Sequence, residues 1–297
     1  DMKAKGITYK NNSKDYDDFQ KGESFLQLSK TERDMIDLVT SNFKKVTLVY
    51  NGANTFQFDF LNDYPQIQSV VWCPPAGQTG FSALGEVLAG ETNPSGKTSD
   101  TFLKDLTKSV SYNNFGKFEY TNMADKAAKY KGFTGDDVTA IPGFVNYSEG
   151  IYVGYKFYET ASDEGLINYD DTVAFPFGYG LSYTSFDWKV TDATANGSAL
   201  TKDGNVTVKV AVTNTGDRAG KDVVQLYYTA PYTAGEIEKS SVELGAFAKT
   251  KELAPGESEE VTLTVPVSDM ASYDAYDANH NNFTGYELDA GDYIFTV

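Results

Sequence analysis

The stretch Phe175-Pro176-Phe177-Gly178-Tyr179-Gly180-Leu181-Ser182-Tyr183-Thr184 divides this chain into two parts with different sequence patterns. It contains four aromatic residues, two glycines and a proline within ten positions. Such a density of rings and permissive glycines predicts a packed junction between domains, because a flexible linker would be polar and rich in Gly, Ser and Pro. Before this stretch the sequence mixes helical and strand patterns, and after it only strand patterns follow.

The part that follows the junction, from about residue 186 onward, has apolar residues at every second position. Four valines alternate with polar or small residues over 206–212, and the same period returns over 261–267. Turn signals, Asn214-Thr215-Gly216-Asp217 and Pro255-Gly256, separate the candidate strands. Roughly seven short strands in about 110 residues predict an immunoglobulin-like β-sandwich.

The part that precedes the junction alternates helices and strands. Ser29, with Glu32 three residues later, has the pattern of a capping box that starts a helix. The predicted apolar face of this helix consists of Met35, Ile36, Leu38, Val39 and Phe43. The segments that follow are a strand at 46–50, a helix at 54–62, a strand at 67–72 and a helix from Phe81 that Gly90 ends.

This alternation is typical of a doubly wound α/β sheet with mostly parallel strands. Two strong strands make a small sheet, and the pattern opens on a helix. We therefore expect at least one further strand before Asp1, so that the α/β domain of this chain is N-terminally incomplete.

Composition excludes several classes of function. The 297 residues carry a formal net charge of −17 without a basic stripe, which excludes nucleic-acid binding. Cys73 is the only cysteine and His280 the only histidine, so that an internal disulfide, a zinc site and an ordinary Cys–His or Ser–His pair are not expected. We expect no metal and no cofactor, and carboxylates or tyrosines must carry out any catalysis.

One segment resembles the start of a calcium-binding loop. Asp277-Ala278-Asn279-His280-Asn281 has oxygen-bearing side chains at positions one, three and five. Position six is Asn282 instead of glycine, and position twelve is Leu288 instead of glutamate. These mismatches predict a surface turn.

Polar residues follow both predicted strands of the α/β part. Ligands of open α/β sheets bind beyond the carboxyl ends of the strands, which places Asn51, Asn54 and Gln78 near a polar ligand. The alternative is that these residues only cap the helices that follow. Glu23, on a loop before the first helix, is a candidate general acid, and its alternative is a solvated turn.

Six segments, in order along the chain, resemble glycoside hydrolase family 3. The first segment contains the family's Asn-Pro-Ser-Gly pattern, the second its Glu-Gly-Ile-x-Val-Gly-Tyr pattern, and the third the junction described above. The segments are GETNPSGKTSDTF (90–102), YSEGIYVGYKFYE (147–159), FPFGYGLSYTSF (175–186), VTNTGDRAGKDVVQLYY (212–228), GAFAKTKELAPGES (245–258) and LDAGDYIFTV (288–297). Agreement in order over nearly the whole chain makes the resemblance specific.

The resemblance implies an α/β sandwich domain over residues 1–185 and a fibronectin type III-like domain over 186–297. It also implies a retaining, exo-acting β-glycosidase, most often a β-glucosidase, that uses a nucleophile and an acid/base. In the family the nucleophile lies on a separate barrel domain, which this chain lacks. Asp1 would match the last residue of the family's Gly-Glu-Gly-x-Asp segment, so that the acid/base glutamate would lie upstream of it. Glu23 is the fallback for this role.

The implied role of the chain is to form one wall of the sugar pocket and to brace the barrel, with a β-glucoside or oligosaccharide as substrate. The isolated chain would then be inactive. The alternative is a non-catalytic carbohydrate-binding or structural module, for which the aromatic content of 14% is the supporting observation. Homodimerisation stays open, as does the choice between a cytoplasmic and a secreted bacterial protein.

Overall fold

The computed structural model describes residues 18–20, 23–24, 26–112, 118–132, 135–147 and 149–297. The chain forms two compact units. The first comprises Asp1–Val46, Phe56–Gln68 and Leu103–Gly150, and the second comprises Thr47–Thr55, Ser69–Phe102 and Ile151–Val297. Within the described ranges, no helix combines the length and apolar character that crossing a bilayer requires.

Helix α1 (Lys30–Asn42) starts where the capping box predicts. The Glu32 amide donates to Ser29 Oγ at 3.2 Å, and the Ser29 amide donates to the Glu32 carboxylate at 2.9 Å. The predicted apolar face is wrong for three of its five members: of these, Met35 is 54% exposed, Leu38 66% and Phe43 61%. Only Ile36 of that set is buried, with Thr40 one turn later, so that the buried stripe is narrow. Phe43 lies beyond the helix and has extended backbone.

The predicted helix at 54–62 is absent. The segment has only a 3₁₀ turn (Asp59–Asp63), while Phe56, Phe58 and Phe60 are all buried. Their rings follow one another at centroid distances of 5.5 and 6.0 Å. An apolar residue at every second position does not fit the 3.6-residue period of a helix, and this alternation was the contrary signal.

Strands β1 (Val46–Tyr50) and β2 (Ile67–Trp72) form a two-stranded sheet, as predicted. The Val46 amide donates to Gln66 O, and the Cys73 amide donates to Tyr50 O. The two starts and the two ends therefore coincide, as in parallel strands. Helix α2 (Gly80–Ala89) ends at Gly90, whose φ of 75° is the left-handed conformation that favours glycine.

The segment between α2 and the junction is made of short elements. Two antiparallel strand pairs, β4 with β7 and β5 with β6, lie in the first unit. The elements in chain order are β3 (Phe102–Leu103), a 3₁₀ turn (Leu106–Lys108), β4 (Phe118–Glu119), a 3₁₀ turn (Ala124–Lys126), β5 (Ala128–Lys131), β6 (Asp137–Ala140), β7 (Gly143–Phe144), α3 (Tyr155–Asp163), α4 (Tyr169–Thr172) and β8 (Val173–Phe175).

The remainder of the second unit is a β-sandwich, as the two-residue period predicts. One sheet has the strand order β13-β10-β9 and the other β12-β11-β16, while β14 and β15 form a separate pair. The elements are β9 (Phe186–Ala193), β10 (Asn205–Asn214), β11 (Val223–Thr229), β12 (Glu243–Lys249), β13 (Ser258–Pro266), a 3₁₀ turn (Val267–Met270), β14 (Ser272–Asp274), β15 (Gly285–Glu287) and β16 (Ile294–Thr296).

The core of the sandwich consists of the alternating residues that the sequence pattern selects. Antiparallel pairing places Val208 opposite Leu263 and Val210 opposite Val261. The core cluster comprises Val206, Val208, Val210, Val212, Val224, Leu226, Tyr228, Leu253, Val261, Leu263, Val265, Val267 and Met270. The α/β-plus-sandwich fold class is confirmed, whereas the domain limits 1–185 and 186–297 stay a prediction.

Candidate functional site

The loops after β1 and β2 lie side by side and are joined by hydrogen bonds. Asn51 Nδ2 donates to Cys73 O at 2.7 Å, and Trp72 Nε1 donates to Gly52 O at 2.8 Å. Both bonds connect the carboxyl end of one strand with that of its neighbour. This edge is where open α/β sheets bind ligands.

The loop after β1 has a shape that requires glycine at one position. A Cβ atom on Gly52 would lie 2.3 Å from atoms of the Tyr50 ring. The Tyr50 hydroxyl donates to Asn54 O at 3.0 Å and closes the loop. The ring therefore occupies the space of the missing side chain, and the loop is held in one conformation.

The three candidate residues on these loops differ in how much of their hydrogen-bonding capacity is used. Asn51 is exposed, but its amide N–H group is already bonded to Cys73. Asn54 and Gln78 are exposed, and neither side chain has a hydrogen-bond partner among the residues that the structure describes. Their amides have both donors and acceptors, the combination that sugar hydroxyls need. Asn51 fulfils the structural role that was its alternative, and ligand binding by all three stays a prediction.

The two acidic candidates lie in the first unit. Asp1 is outside the described residues. Glu23 Oε2 accepts from the Gln20 amide at 2.7 Å, and the Glu23 amide donates to Gln20 O at 3.1 Å. The carboxylate of Glu23 thus closes its own turn, the alternative noted for this residue. Its role as a general acid stays a prediction.

The Asn-Pro-Ser-Gly segment is bound tightly to the aromatic junction stretch. Thr98 makes four hydrogen bonds to this stretch: its amide donates to Tyr179 O at 2.7 Å, and its hydroxyl donates to Pro176 O at 2.6 Å. In the other direction, the Gly178 amide donates to Thr98 O and the Tyr179 amide donates to Thr98 Oγ1. We call residues 90–102 together with 175–184 the bracket.

Asn93 joins three segments through one side chain. Its Oδ1 accepts from Ser182 Oγ at 2.9 Å and from the Tyr183 amide at 2.8 Å, while its Nδ2 donates to Ala219 O at 2.9 Å. The bracket is in this way attached to the turn between β10 and β11. The sequence analysis did not select Asn93 as an important residue, although it lies in a motif that carries the family resemblance.

Lys97 adds a half-buried ion pair to the bracket. Its Nζ donates to Gly180 O at 2.7 Å and lies 3.0 Å from Asp222 Oδ1. The second oxygen of Asp222 accepts from Trp188 Nε1 at 2.9 Å. The side chains of Lys97 and Asp222 are 22% and 12% exposed, so that water screens this pair less than a surface pair.

Two glycines in the bracket are required for close contact. A Cβ atom on Gly180 would lie 2.1 Å from Gly96 O. A Cβ atom on Gly178 would lie 2.1 Å from Gln225 Oε1, and Gly178 also has a φ of 75°. The glycines that suggested a packed junction in the sequence are therefore positions where neighbouring chain segments leave no room for a side chain.

A row of aromatic rings connects the bracket with the strand-end loops. The centroid of Trp72 lies 5.0 Å from that of Phe102, Phe102 lies 6.4 Å from Phe175, and Phe175 lies 5.6 Å from Tyr179. Trp72 in turn bonds to Gly52 at the end of the row. The bracket thereby fixes the backbone that presents the candidate residues.

A second aromatic group surrounds one carboxylate. The Tyr169 hydroxyl donates to Glu159 Oε1 at 2.6 Å. Burial raises the pKa of Glu159, and this effect outweighs the hydrogen bond from Tyr169, which lowers it. Burial likewise raises the pKa of Tyr227 to about 12. Glu159 therefore favours its neutral form more than an exposed glutamate does.

Comparisons with known proteins agree along the chain. Residues 7–155 match the glycosyl hydrolase family 3 C-terminal domain, and residues 222–297 match the fibronectin type III-like domain. Beta-glucosidase A from Butyrivibrio fibrisolvens is 35% identical over 93% of this chain, which corresponds to 30% of that relative.

Solved structures of similar proteins agree with the fold as well. A beta-glucosidase from Paenibacillus barengoltzii has a TM-score of 0.76 and 38% identity, over 94% of this chain and 27% of that protein. Beta-glucosidase 3B from Thermotoga neapolitana, solved in complex with glucose, has a TM-score of 0.64 and 35% identity, over 86% of this chain and 30% of that protein. The chain spans less than a third of the length of each of these relatives. From its two domain matches, the fold and the bracket motifs, the chain belongs to glycoside hydrolase family 3.

Proposed function

We propose that this chain is part of a retaining, exo-acting β-glucosidase that removes terminal β-D-glucosyl residues. The observation that carries the proposal is the similarity to beta-glucosidases at 33–35% identity over more than nine-tenths of the chain. Retaining enzymes of this kind use two carboxylates about 5–5.5 Å apart. Because the chain covers less than a third of those relatives, we place the nucleophile in another part of the full-length enzyme.

The part of this chain in the proposed function is to contact the sugar. Asn54 and Gln78 have exposed amides at the carboxyl ends of parallel strands. An amide that hydrogen-bonds a sugar hydroxyl discriminates between sugars, because the wrong sugar leaves its polar group unpaired. The loop bonds of Asn51 and Trp72 hold these amides in place.

The first experiment compares nitrophenol release from an aryl β-glucoside by the full-length enzyme and by the 297-residue chain alone. We expect turnover by the full-length enzyme and none by the chain, since a retaining mechanism needs both carboxylates. Turnover by the chain alone would contradict the placement of the nucleophile outside it. Absence of turnover in the full-length enzyme would contradict the proposed activity.

The second experiment tests the amides. We expect Gln78→Ala and Asn54→Ala in the full-length enzyme to raise KM for the glucoside about 5- to 50-fold, the value of one or two neutral hydrogen bonds. The matched control is Gln68→Ala, an exposed glutamine near the start of β2 at the opposite end of the strand. Unchanged KM and kcat in both loop variants would assign these residues a purely structural role.

A non-catalytic carbohydrate-binding module is the second candidate. Phe118 and Phe144 stack at a centroid distance of 5.6 Å, and Tyr120 lies 5.1 Å from Phe144 on the β4–β7 pair. Tyr120 is 44% exposed and Phe144 42%, and sugar faces stack on such rings. Calorimetric titration of the chain with cellobiose distinguishes the candidates: saturable heat that Tyr120→Ala abolishes favours the module, and no heat favours the half-pocket.

A further inference from the structure

The loop between β14 and β15 has more features of a cation site than its sequence indicated. Its polar side chains follow the order Asp277, Asn279 and Asn281, with Glu287 ten residues after the aspartate. Position six, where a calcium loop has glycine, is Asn282 with a φ of 67°. Asparagine tolerates this left-handed conformation, so that the first mismatch in the sequence does not prevent the backbone turn.

The second mismatch, Leu288 at position twelve, is compensated by its neighbour. Glu287 is one position earlier, and its Oε2 accepts from the side-chain amides of both Asn279 and Asn281, the former at 3.3 Å. The carboxylate thus reaches back across the loop, as the last ligand of a calcium loop does. Asp277 accepts the Asn282 amide at Oδ1, at 3.0 Å, which leaves its Oδ2 for another partner.

The observation that points to a ligand is the other oxygen of Glu287. Oε1 is buried and has no hydrogen-bond partner among the described residues. A buried carboxylate oxygen without a partner is costly, and native structures usually satisfy it with protein, water or an ion. The amides of Asn279 and Asn281 occupy only Oε2, so that Oε1 beside the loop is the one that lacks a counterpart.

We propose that the loop Asp277–Glu287 binds a calcium ion through oxygens of Asp277, Asn279, Asn281 and Glu287. The described residues contain no cluster of three or more His, Cys, Asp and Glu side chains that could hold a metal. The site therefore has two carboxylates, and asparagine oxygens and water complete it. Such an all-oxygen set suits a hard cation, and the flexible, many-ligand coordination of calcium suits it better than the strict octahedron of magnesium.

The loop is anchored to the sandwich from the β14 side. Asp274, at the end of β14, is 2% exposed and accepts the amides of Tyr276 and Ala278 at 2.9 and 2.7 Å. Burial raises the pKa of Asp274, but backbone N–H groups outweigh this effect and hold the pKa below its ordinary value. Asp274 is thus a fixed anion at the start of the loop and a positioning residue, not a ligand.

The test is calorimetric titration of the full 297-residue chain, stripped with a chelator, with CaCl₂ and separately with MgCl₂. We expect saturable calcium binding with a Kd of about 10⁻⁴–10⁻³ M, the weak end of the range, because only two ligands are charged. Magnesium should bind at least about 10-fold more weakly. Absence of saturable heat up to about 10 mM calcium, or equal binding of magnesium, would overturn the proposal.

Two variants and one control assign the binding to this loop. Glu287→Gln keeps the shape of the side chain, and Asn281→Ala changes an exposed residue, so that at least one of them should fold as the parent does in chelator. Each should weaken calcium binding by about 10-fold or more, since each removes a ligand. Asp203→Asn, an exposed aspartate outside the loop, should leave the Kd unchanged. Parental affinity in a folded loop variant would show that calcium binds elsewhere.

Discussion

Asn214 is the position where one changed atom should affect the sandwich most. The residue is completely buried at the end of β10. Its Nδ2 donates to Arg218 O at 2.7 Å and to Leu253 O at 2.8 Å. Its Oδ1 accepts from Thr184 Oγ1 at 2.7 Å and from the Gly216 amide at 3.1 Å. The side chain therefore satisfies four groups at once.

Asn214→Asp has nearly the same shape but replaces the N–H donors by an acceptor. The two accepted bonds remain, whereas the carbonyls of Arg218 and Leu253 lose their donors and face a carboxyl oxygen. An unsatisfied buried group costs about 1–3 kcal/mol, so that we expect a loss of about 4 kcal/mol in the free energy of unfolding at pH 7. For a sandwich of about 110 residues this corresponds to a fall of about 15 °C in its Tm.

The loss should depend on pH. Burial and the two carbonyls would raise the folded-state pKa of the introduced carboxyl above its unfolded value of about 3.9. The protonated form is then fully favoured only below about pH 3.9, and stability falls as the pH rises through the folded-state pKa. A protonated carboxyl can also donate one of the two lost bonds. The deficit relative to the parent chain should therefore be smaller at pH 4 than at pH 7.

The assay is urea denaturation of the parent and variant chains at both pH values, with Asn205→Asp as the matched control. Asn205 is exposed at the other end of the same strand, where the same substitution should cost less than about 0.5 kcal/mol. A loss for Asn214→Asp within about 0.5 kcal/mol of the control, or a deficit that does not shrink at pH 4, would refute the reasoning.

Three further predictions concern the bracket and its surroundings. Gly178→Ala should lower the free energy of unfolding by more than about 2 kcal/mol, whereas Gly197→Ala, with a similar φ of 77° but no atom within 4 Å, should cost about 1 kcal/mol; equal urea midpoints would contradict the role of the Gln225 contact. Lys97→Met should cost about 1–3 kcal/mol by leaving Asp222 without its cation, and Lys209→Met, which removes an exposed pair with Asp192, less than about 0.5; the reverse order in a thermal melt would refute this. Glu159→Gln should become more stable relative to the parent as the pH rises from 4 to 7, because the raised pKa of Glu159 means that the parent loses stability as this buried group ionises; parallel stability–pH curves would exclude it.

The sandwich was predictable because its signal is local. Alternation over Asn205–Asn214 and Ser258–Pro266 places every second residue in the core, and the structure pairs these two strands along their whole length. The capping box at Ser29 and the glycine stop at Gly90 are local in the same sense. Each depends on backbone groups within one helical turn, and such groups are recognised from residue spacing alone.

The errors arose where a residue's partner is far along the chain. The segment around Phe58 has enough apolar residues for a helix, but burial of alternate rings and the bond from the Leu106 amide to Gln57 Oε1 favour a different backbone. Leu38 is exposed although its spacing fits an apolar face. Propensity is a weak prior that tertiary contacts override, and these contacts span about 50 residues of sequence.

The junction stretch 175–184 shows both kinds of determination. By itself, the sequence determined that this stretch is a packed boundary between two textures of chain, since its rings and glycines are unsuited to a linker. Only the tertiary structure decided what packs there: Asn93, Lys97 and Thr98 from 77 or more positions upstream, together with Asp222 and Gln225 from the sandwich. The physical reason is that hydrogen bonds and steric limits such as the one at Gly178 act between atoms in contact, and contact over such sequence separations exists only in the folded chain.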